Sequence, residues 1–377
     1  MVLRTNVKLN FGLNVMRKRP DGYHDIETLF VPCHDFGDTL EVIAGDDYSR
    51  TSASLFARYG QPFDGLGGEL VEPQLPEGLS SHGKVHSRFA AAEYCLRLAA
   101  PPEGHDCLVQ GISEDGKLMI TIARKEGVDW DPLKDLCARA YAILDEDFDL
   151  PPVKIFLEKE APVGAGLGGG SADAAFTLKA LNELFSLGLS DGRLSEYASR
   201  LGSDCALFVW NRPMFGTGRG EILEPFDLDL SGYELKVLVP EGITVSTREA
   251  YEGIIPRISA EGALGAADHA TLGTVRGGTV AVEGENETCS VCDFGGHGGA
   301  ERSEASVVPK VPSVELKEAL RRPIEEWKGL VVNDFEATVF KKHPELAAIK
   351  QSLYDSGAVY ASMSGSGSSI FAIYIKP

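Results

Sequence analysis

The stretch "PVGAGLGGGSADAA", residues 162–175, places five glycines within residues 164–170 and then runs into small, helix-favouring residues. Glycine loses more conformational freedom on folding than any other residue, so such density marks backbone that turns left-handed or is approached closely. Upstream, "PVKIFLEKEAP" alternates apolar residues at Val153, Ile155 and Leu157 and reads as a strand. Downstream, the pattern predicts a helix over 172–186, opened by Ser171. Strand, glycine run and helix start together form an anion site on physical grounds. The first-turn N–H groups lack intrahelical partners, and the helix dipole adds partial positive charge. A simple connector is disfavoured because regular elements flank the glycines on both sides. The letters contain G-x-G-x-x-G, but the acidic residue of a dinucleotide fingerprint is represented only by Glu183, which falls inside the following helix. No G-K-[ST] follows, so a Walker A loop is excluded. A phosphate loop of neither common type is expected.

Composition narrows the partners. A chain of 377 residues with 43% hydrophobic and 24% charged residues reads as soluble and globular, with two or three domains. Its 36 basic residues face 56 acidic ones, a formal charge of −20, which argues against nucleic acid or an anionic membrane as the main partner. No apolar run approaches the ~20 residues of a membrane span. "MVLRTNVKLNFGLNV" lacks the layout of a signal peptide, so a cytoplasmic protein is expected. Arg17, Lys18 and Arg19 form a local basic cluster, read as a solvated charge run unless an anion sits there. Seven irregularly spaced cysteines suggest reduced thiols. Cys289 and Cys292, with His297 nearby, lack the second pair that a zinc site needs.

Along the chain, "VKLNFGLNVM" at 7–16 alternates with period two. Val7, Leu9, Phe11, Leu13 and Val15 share one face; Lys8, Asn10, Gly12 and Asn14 share the other. "DTLEVIAG" and "KLMITIARK" read as strands, and "DPLKDLCARAYAILDEDF" as an amphipathic helix started by Asp131 and Pro132. A further helix spans about 191–201 and ends at Gly202. From residue 231 the pattern restarts with the strand "YELKVLVP", a helix in "STREAYEGI", two helices around Pro344, and two strands joined by the small-residue loop in "AVYASMSGSGSSIFAIYIK". The whole predicts an α+β protein of two lobes, 1–230 and 231–377. Residues 58–112 and 258–310 are Gly/Ala/Pro-rich without sustained period and read as insertions, with a small hairpin expected in "TLGTVRGGTVAVEGE".

The glycine stretch resembles the central nucleotide motif of the GHMP kinases, in its longer triple-glycine form. "MSGSGSS" at 363–369 is similar to their C-terminal glycine motif, and "KLNFGLNVMRKRPDGYHDIETLF" at 8–30 with "LGSDCALFV" at 201–209 narrows the likeness. The resemblance covers most of 1–50, 120–257 and 311–375, with four motifs in the right order. It implies a two-lobed GHMP kinase fold, with an N-terminal ribosomal-protein-S5-like nucleotide domain and a C-terminal ferredoxin-like domain. The implied reaction is phosphoryl transfer from ATP, with Mg²⁺, to the 2-hydroxyl of a cytidine diphosphate derivative of methylerythritol, on the non-mevalonate route to isoprenoid precursors. Homoserine or a sugar is the alternative acceptor. A monomer or homodimer is expected.

Phosphoryl transfer to a hydroxyl asks for a proton acceptor, a cation and a phosphate cradle. Asp204 in "LGSDCALF" fits the first role and equally fits a helix N-cap; the resemblance selects the catalytic base. Lys8 and Asn10 share the polar strand face, and the resemblance makes Lys8 the cation that orients Asp204 and the acceptor, with Asn10 binding substrate. Pro162, Gly164, Gly166, Gly168, Gly169, Gly170 and Ser171, with Ser364, Gly365, Ser366 and Gly367, are the expected ATP-binding residues. Tyr23 and His24 follow a Pro-Asp-Gly turn; the resemblance assigns them to the cytosine, with Tyr251 as a second aromatic completing a sandwich. Asn333 and Asp334 match an element near the substrate end. No carboxylate stands out as a metal ligand; Ser171 could serve, but the register of the longer glycine motif leaves the metal ligands open.

Overall fold

The computed structural model describes residues 1–45, 106–257 and 315–376. The expected hairpin at 271–285 and the Cys289/Cys292 pair lie outside these residues, as do 58–105 and all of 258–310.

Three sheets carry the structure. Five strands, β1 (Val2–Arg4), β4 (Thr39–Ala44), β5 (Leu108–Ile112), β6 (Leu118–Arg124) and β7 (Val153–Lys159), lie in the order β1-β4-β7-β6-β5. Only β6 and β7 run parallel, joined by the crossover helix α1 (Leu136–Phe148). The helices α2 (Gly169–Leu184), α3 (Asp191–Leu201) and α4 (Cys205–Trp210) join α1 over this sheet. Leu40, Val42, Ile120, Ile122, Ile155 and Leu157 from the strands meet Leu144, Leu178, Leu181 and Phe208 from the helices in one core. A second sheet pairs β2 (Val7–Lys18), β3 (His24–Cys33), β8 (Met214–Thr217) and β9 (Ile222–Pro225) antiparallel, in that order. The third holds β10 (Tyr233–Leu238), β12 (Ile370–Ile375) and β11 (Tyr360–Met363). It is accompanied by the helices α5 (Thr247–Tyr251), α6 (Leu316–Ala319), α7 (Glu336–Lys342) and α8 (Pro344–Asp355).

Strand β2 is the hinge of the design. Its alternation is as read only up to Phe11: residues 7–15 are buried on both faces, and Leu13, expected on the apolar face, joins Lys8 and Asn10 in lining a cavity. A register shift between Phe11 and Leu13 falls at Gly12, whose φ is +71°. This β-bulge re-aims the strand. Val7, Leu9 and Phe11 enter a core with Trp327, Tyr360 and Phe371, while Leu13 and Val15 enter another with Phe335, Met363 and Ile370. One strand thereby ties the second sheet to both sides of the third.

Four expectations need correction. The expected insertion 58–112 overruns β5, an edge strand whose half-exposed residues show no alternation. The helix expected from Asp131 begins as a 3₁₀ turn, Pro132–Lys134, and the α-helix starts afresh after Asp135, which caps Cys137 N. Helix α2 opens at Gly169, earlier than expected, because left-handed Gly168 turns the chain into it and Gly168 O accepts the first helical bond from Ala172 N. Gly202 follows α3 in extended backbone (φ −174°), so no left-handed cap ends that helix.

Candidate active site

The glycine run leaves β7 at the edge of a cavity of about 800 Å³ and enters α2. Pro162, Gly164, Gly166, Gly168, Gly169, Gly170 and Ser171 all line it. Gly168 precedes the helix at φ +74°, ψ 22°, and no side chain caps the N–H groups of the first turn. An alanine methyl at Gly170 would meet nothing within 4 Å, so the helix start presents bare backbone to the cavity. That is the surface an oligophosphate needs.

Lys8 reaches the same cavity from β2. Its ammonium donates to Gly166 O at 2.8 Å and to Asn10 Oδ1, and stands 3.6 Å from Asp204 Oδ2. Burial pushes the Lys8 pKa down, while the Asp204 charge opposes that shift. Asp204 sits where an N-cap of α4 belongs, yet its side chain makes no capping bond. Oδ1 takes only a 3.2 Å bond from Ser203 Oγ, and the side chain is 28% exposed. A carboxylate beside a buried ammonium and open to the cavity can accept a proton. Asn10 uses Oδ1 for Lys8 and Nδ2 for Thr28 Oγ1 (3.0 Å), so its amide orients the lysine.

The second glycine loop, between β11 and β12, supports the first. Gly365 and Ser366 line the cavity; Ser364 and Gly367 do not. Ser364 is buried, with Oγ 3.2 Å from Asn10 N and 3.4 Å from Gly166 O, and Ser369 Oγ donates to Ala165 O at 2.6 Å. Gly166 has φ +74°, and a Cβ there would fall 2.3 Å from Ser364 O. Asn333 Nδ2 holds the loop through Met363 O and Gly365 O, both at 2.8 Å. Asp334 accepts from Val15 N and from the Arg257 guanidinium, at 2.6–2.8 Å. The residue pair matched to a substrate-end element is therefore framework.

The comparisons decide the family. Residues 135–212 match the GHMP kinases N terminal domain and residues 316–377 match GHMP kinases C terminal. A 4-diphosphocytidyl-2-C-methyl-D-erythritol kinase of Bacteroides fragilis is 34% identical over 374 residues, spanning 99% of this chain and 92% of the relative. The chain belongs to the 4-diphosphocytidyl-2-C-methyl-D-erythritol kinase family of GHMP kinases. The relative of the same name from Parabacteroides distasonis is 33% identical over 377 residues, covering 100% of this chain and 93% of its own. A crystal structure of 4-(cytidine 5'-diphospho)-2C-methyl-D-erythritol kinase shares the fold at TM-score 0.54 and 23% identity, over 99% of this chain and 89% of that one. The α+β architecture is thus the two-lobed GHMP kinase fold.

Within this kinase family fold, the aromatic residues are arranged otherwise than expected. His24 stacks directly on Tyr251, with ring centres 4.6 Å apart and an interplanar angle of 19°. That spacing admits no base between them, since a sandwiched ring needs about twice a stacking distance. Burial pushes the Tyr251 hydroxyl up to about 12, with Asp204 adding to the shift, and burial pushes His24 down. Tyr251 lines the cavity, whereas Tyr23 stays 58% exposed beneath the Arg219 guanidinium. His24, rather than Tyr23, is the aromatic residue stacked on Tyr251. Sequence reasoning also missed Trp130, Lys159 and Arg219, three further cavity residues. Trp130 lies in a turn whose aspartates marked only a helix start, and its Nε1 donates to Asp135 at 3.0 Å.

The two kinds of glycine are separable. Gly166→Ala should cost more than about 2 kcal/mol, from left-handed strain plus the Ser364 clash, read as a lowered urea midpoint. Gly170→Ala, in a helical turn with open space above, should stabilise by about 0.5–1 kcal/mol and raise the KM for ATP. Equal stability losses for both would refute this division.

Proposed function

We propose that the cleft transfers the γ-phosphoryl group of ATP to the 2-hydroxyl of 4-diphosphocytidyl-2-C-methyl-D-erythritol, with Asp204 as proton acceptor and Lys8 as the orienting cation. The observation that carries this reading is that the Lys8 ammonium, the Asp204 carboxylate and the glycine helix start all line one cavity. The acceptor oxygen attacks the γ-phosphorus as its proton passes to Asp204, and the bond to the ADP oxygen breaks. Lys8, fixed by Gly166 O and Asn10, stands beside Asp204 and offers positive charge to the attacking oxygen. The N–H groups at the start of α2 cradle the donor phosphates. A carboxylate is a weak base, so positioning and electrostatics supply most of the acceleration.

Among the described residues there is no cluster of three His, Cys, Asp or Glu side chains suited to a metal. Mg²⁺ in such sites keeps few protein ligands and is held largely by the substrate phosphates. Ser171, in the first turn of α2, is the hydroxyl that would join it, and the ion would neutralise charge on the phosphates. Reduced Cys33, Cys107, Cys137 and Cys205 suit a cytoplasmic enzyme. Among the described residues no helix is long and apolar enough to cross a membrane.

A coupled ADP-release assay compares the cytidyl substrate with homoserine, mevalonate and a sugar. Turnover confined to the cytidyl substrate is expected. Preference for homoserine or a sugar would select the alternative GHMP chemistry, and no ATP turnover with any acceptor would end the kinase reading.

A further inference from the structure

Arg219 lines the cavity, and the reaction as described gives it no task. It occupies the tip of the β8–β9 turn between Gly218 (φ +68°) and Gly220 (φ +112°), positions whose left-handed backbone suits glycine. Glu221 anchors the turn, accepting from Arg219 N at 2.6 Å and from Nε at 3.4 Å. The guanidinium carbon then lies 5.2 Å from the centre of the Tyr23 ring, over its aromatic face and within cation–π range. On the other side of the same turn, a Cβ at Gly220 would lie 3.7 Å from Asp204 Oδ1. Two adjacent residues therefore bridge from the exposed aromatic to the carboxylate that takes the proton.

The acceptor in the reading above has the same order of parts: a base, a diphosphate, then the polyol that carries the reacting hydroxyl. Its middle is doubly anionic, and the chain around it carries a formal charge of −20. Most other cations near it are already engaged, with the exposed Lys18 and Lys134 as exceptions. Arg17 pairs with Asp25, and Arg19 with Asp21 and Asp25, both at 2.9 Å. Lys8 is committed to Gly166, Asn10 and Asp204, and Lys159 is closed between Asp38 and Asp173. Arg219 meets one carboxylate, Glu221, at 3.4 Å, with Asp21 further off, and its side chain is 35% exposed. Its planar fork matches two phosphoryl oxygens at once.

We propose that Arg219 is a specificity-determining residue that grips the diphosphate of the acceptor and so sets the distance between base and reacting hydroxyl. This rests on the cytidyl reading of the site. The test measures binding of CDP and cytidine by calorimetry, with the nucleotide cradle filled by ADP, to the wild type, Arg219→Met and Arg219→Lys. The wild type should prefer CDP. Arg219→Met should reduce that preference about tenfold or more, the scale of one charge-assisted contact. It should raise the KM for the cytidyl substrate in parallel, leaving kcat and the KM for ATP unchanged. Arg219→Lys should fall between, since a point charge replaces the fork. An unchanged CDP-to-cytidine ratio in Arg219→Met, with an unshifted melting temperature, overturns the inference, and so does a loss confined to kcat. A wild type that does not turn over the cytidyl substrate instead removes the reading on which it rests.

Discussion

Asp204→Asn is expected to lower kcat by about 10²–10⁴-fold, the usual worth of a positioned general base, with the KM for ATP and the melting temperature little changed. The structural reason is that the carboxylate does no capping for α4, so the helix loses nothing when the oxygen becomes an amide. The amide keeps the shape but cannot take the acceptor proton. Lys8→Ala should cost a comparable factor in kcat and also lower stability, because Gly166 O and Asn10 Oδ1 lose their donor in the buried framework. Lys8 acts as an ammonium, and burial pushes its pKa below the ordinary lysine value. Activity should therefore decline on the alkaline side earlier than a free lysine would dictate. Steady-state kinetics across pH checks all three points; near-normal kcat in Asp204→Asn removes the base from the mechanism.

The parts of this site legible in the sequence were those encoded by local pattern. The strand into the glycine run, the helix after it and the alternation of β2 each follow from side-chain periodicity within a dozen residues. Three-dimensional closure was not encoded that way. The glycines of the second loop read as part of a phosphate cradle, and Gly365 does line the cavity, but only the fold shows that Gly365 and Gly166 also let the two loops touch backbone to backbone. Asn333 reads as a polar residue in a turn, and only the fold shows its amide spanning two carbonyls 30 and 32 residues away. Arg219 sits in a Gly-Arg-Gly turn that any hairpin could use. Its meaning depends on Tyr23 and Asp204, brought beside it by pairing of β3 with β8 and by α4. Gly12 likewise looks like a break in alternation until the bulge is seen to divide one strand between two cores.

The same contrast applies to Lys159, whose position near the end of a strand carries no sequence signal. Its ammonium is buried with Asp38 and with Asp173 Oδ2 (2.6 Å), and a Cβ on Gly169 would lie 3.7 Å from it. Asp38 Oδ1 in turn accepts from Glu160 N and Ala161 N at 2.6 and 2.7 Å, and Thr5 Oγ1 donates to Asp173 Oδ1 at 3.0 Å. The triad thus clamps the entry to the glycine loop, the chain before β2 and the first turn of α2. Lys159→Met, which keeps the volume, should destabilise by about 3–5 kcal/mol, because Asp38 and Asp173 are left buried together without their cation. Burial pushes the Asp173 pKa up to about 8, with Lys159 pulling against it and Asp38 adding to it. Its folded value exceeds the unfolded one, near 3.9. Between about pH 4 and 8 the native state therefore retains a proton that the unfolded state releases, and stability from this group falls as pH rises. Removing the lysine shifts that balance further. The loss in Lys159→Met should be nearly level between pH 5 and 7, grow above pH 8, where the wild type but not the variant gives up the Asp173 proton, and be partly recovered by adding Asp173→Asn. Denaturant titrations at pH 6 and pH 9 read this directly. An equal loss at both would mean that the triad contributes packing alone. A pH-dependent loss accompanied by a raised KM for ATP would make it the brace that keeps the phosphate cradle in shape.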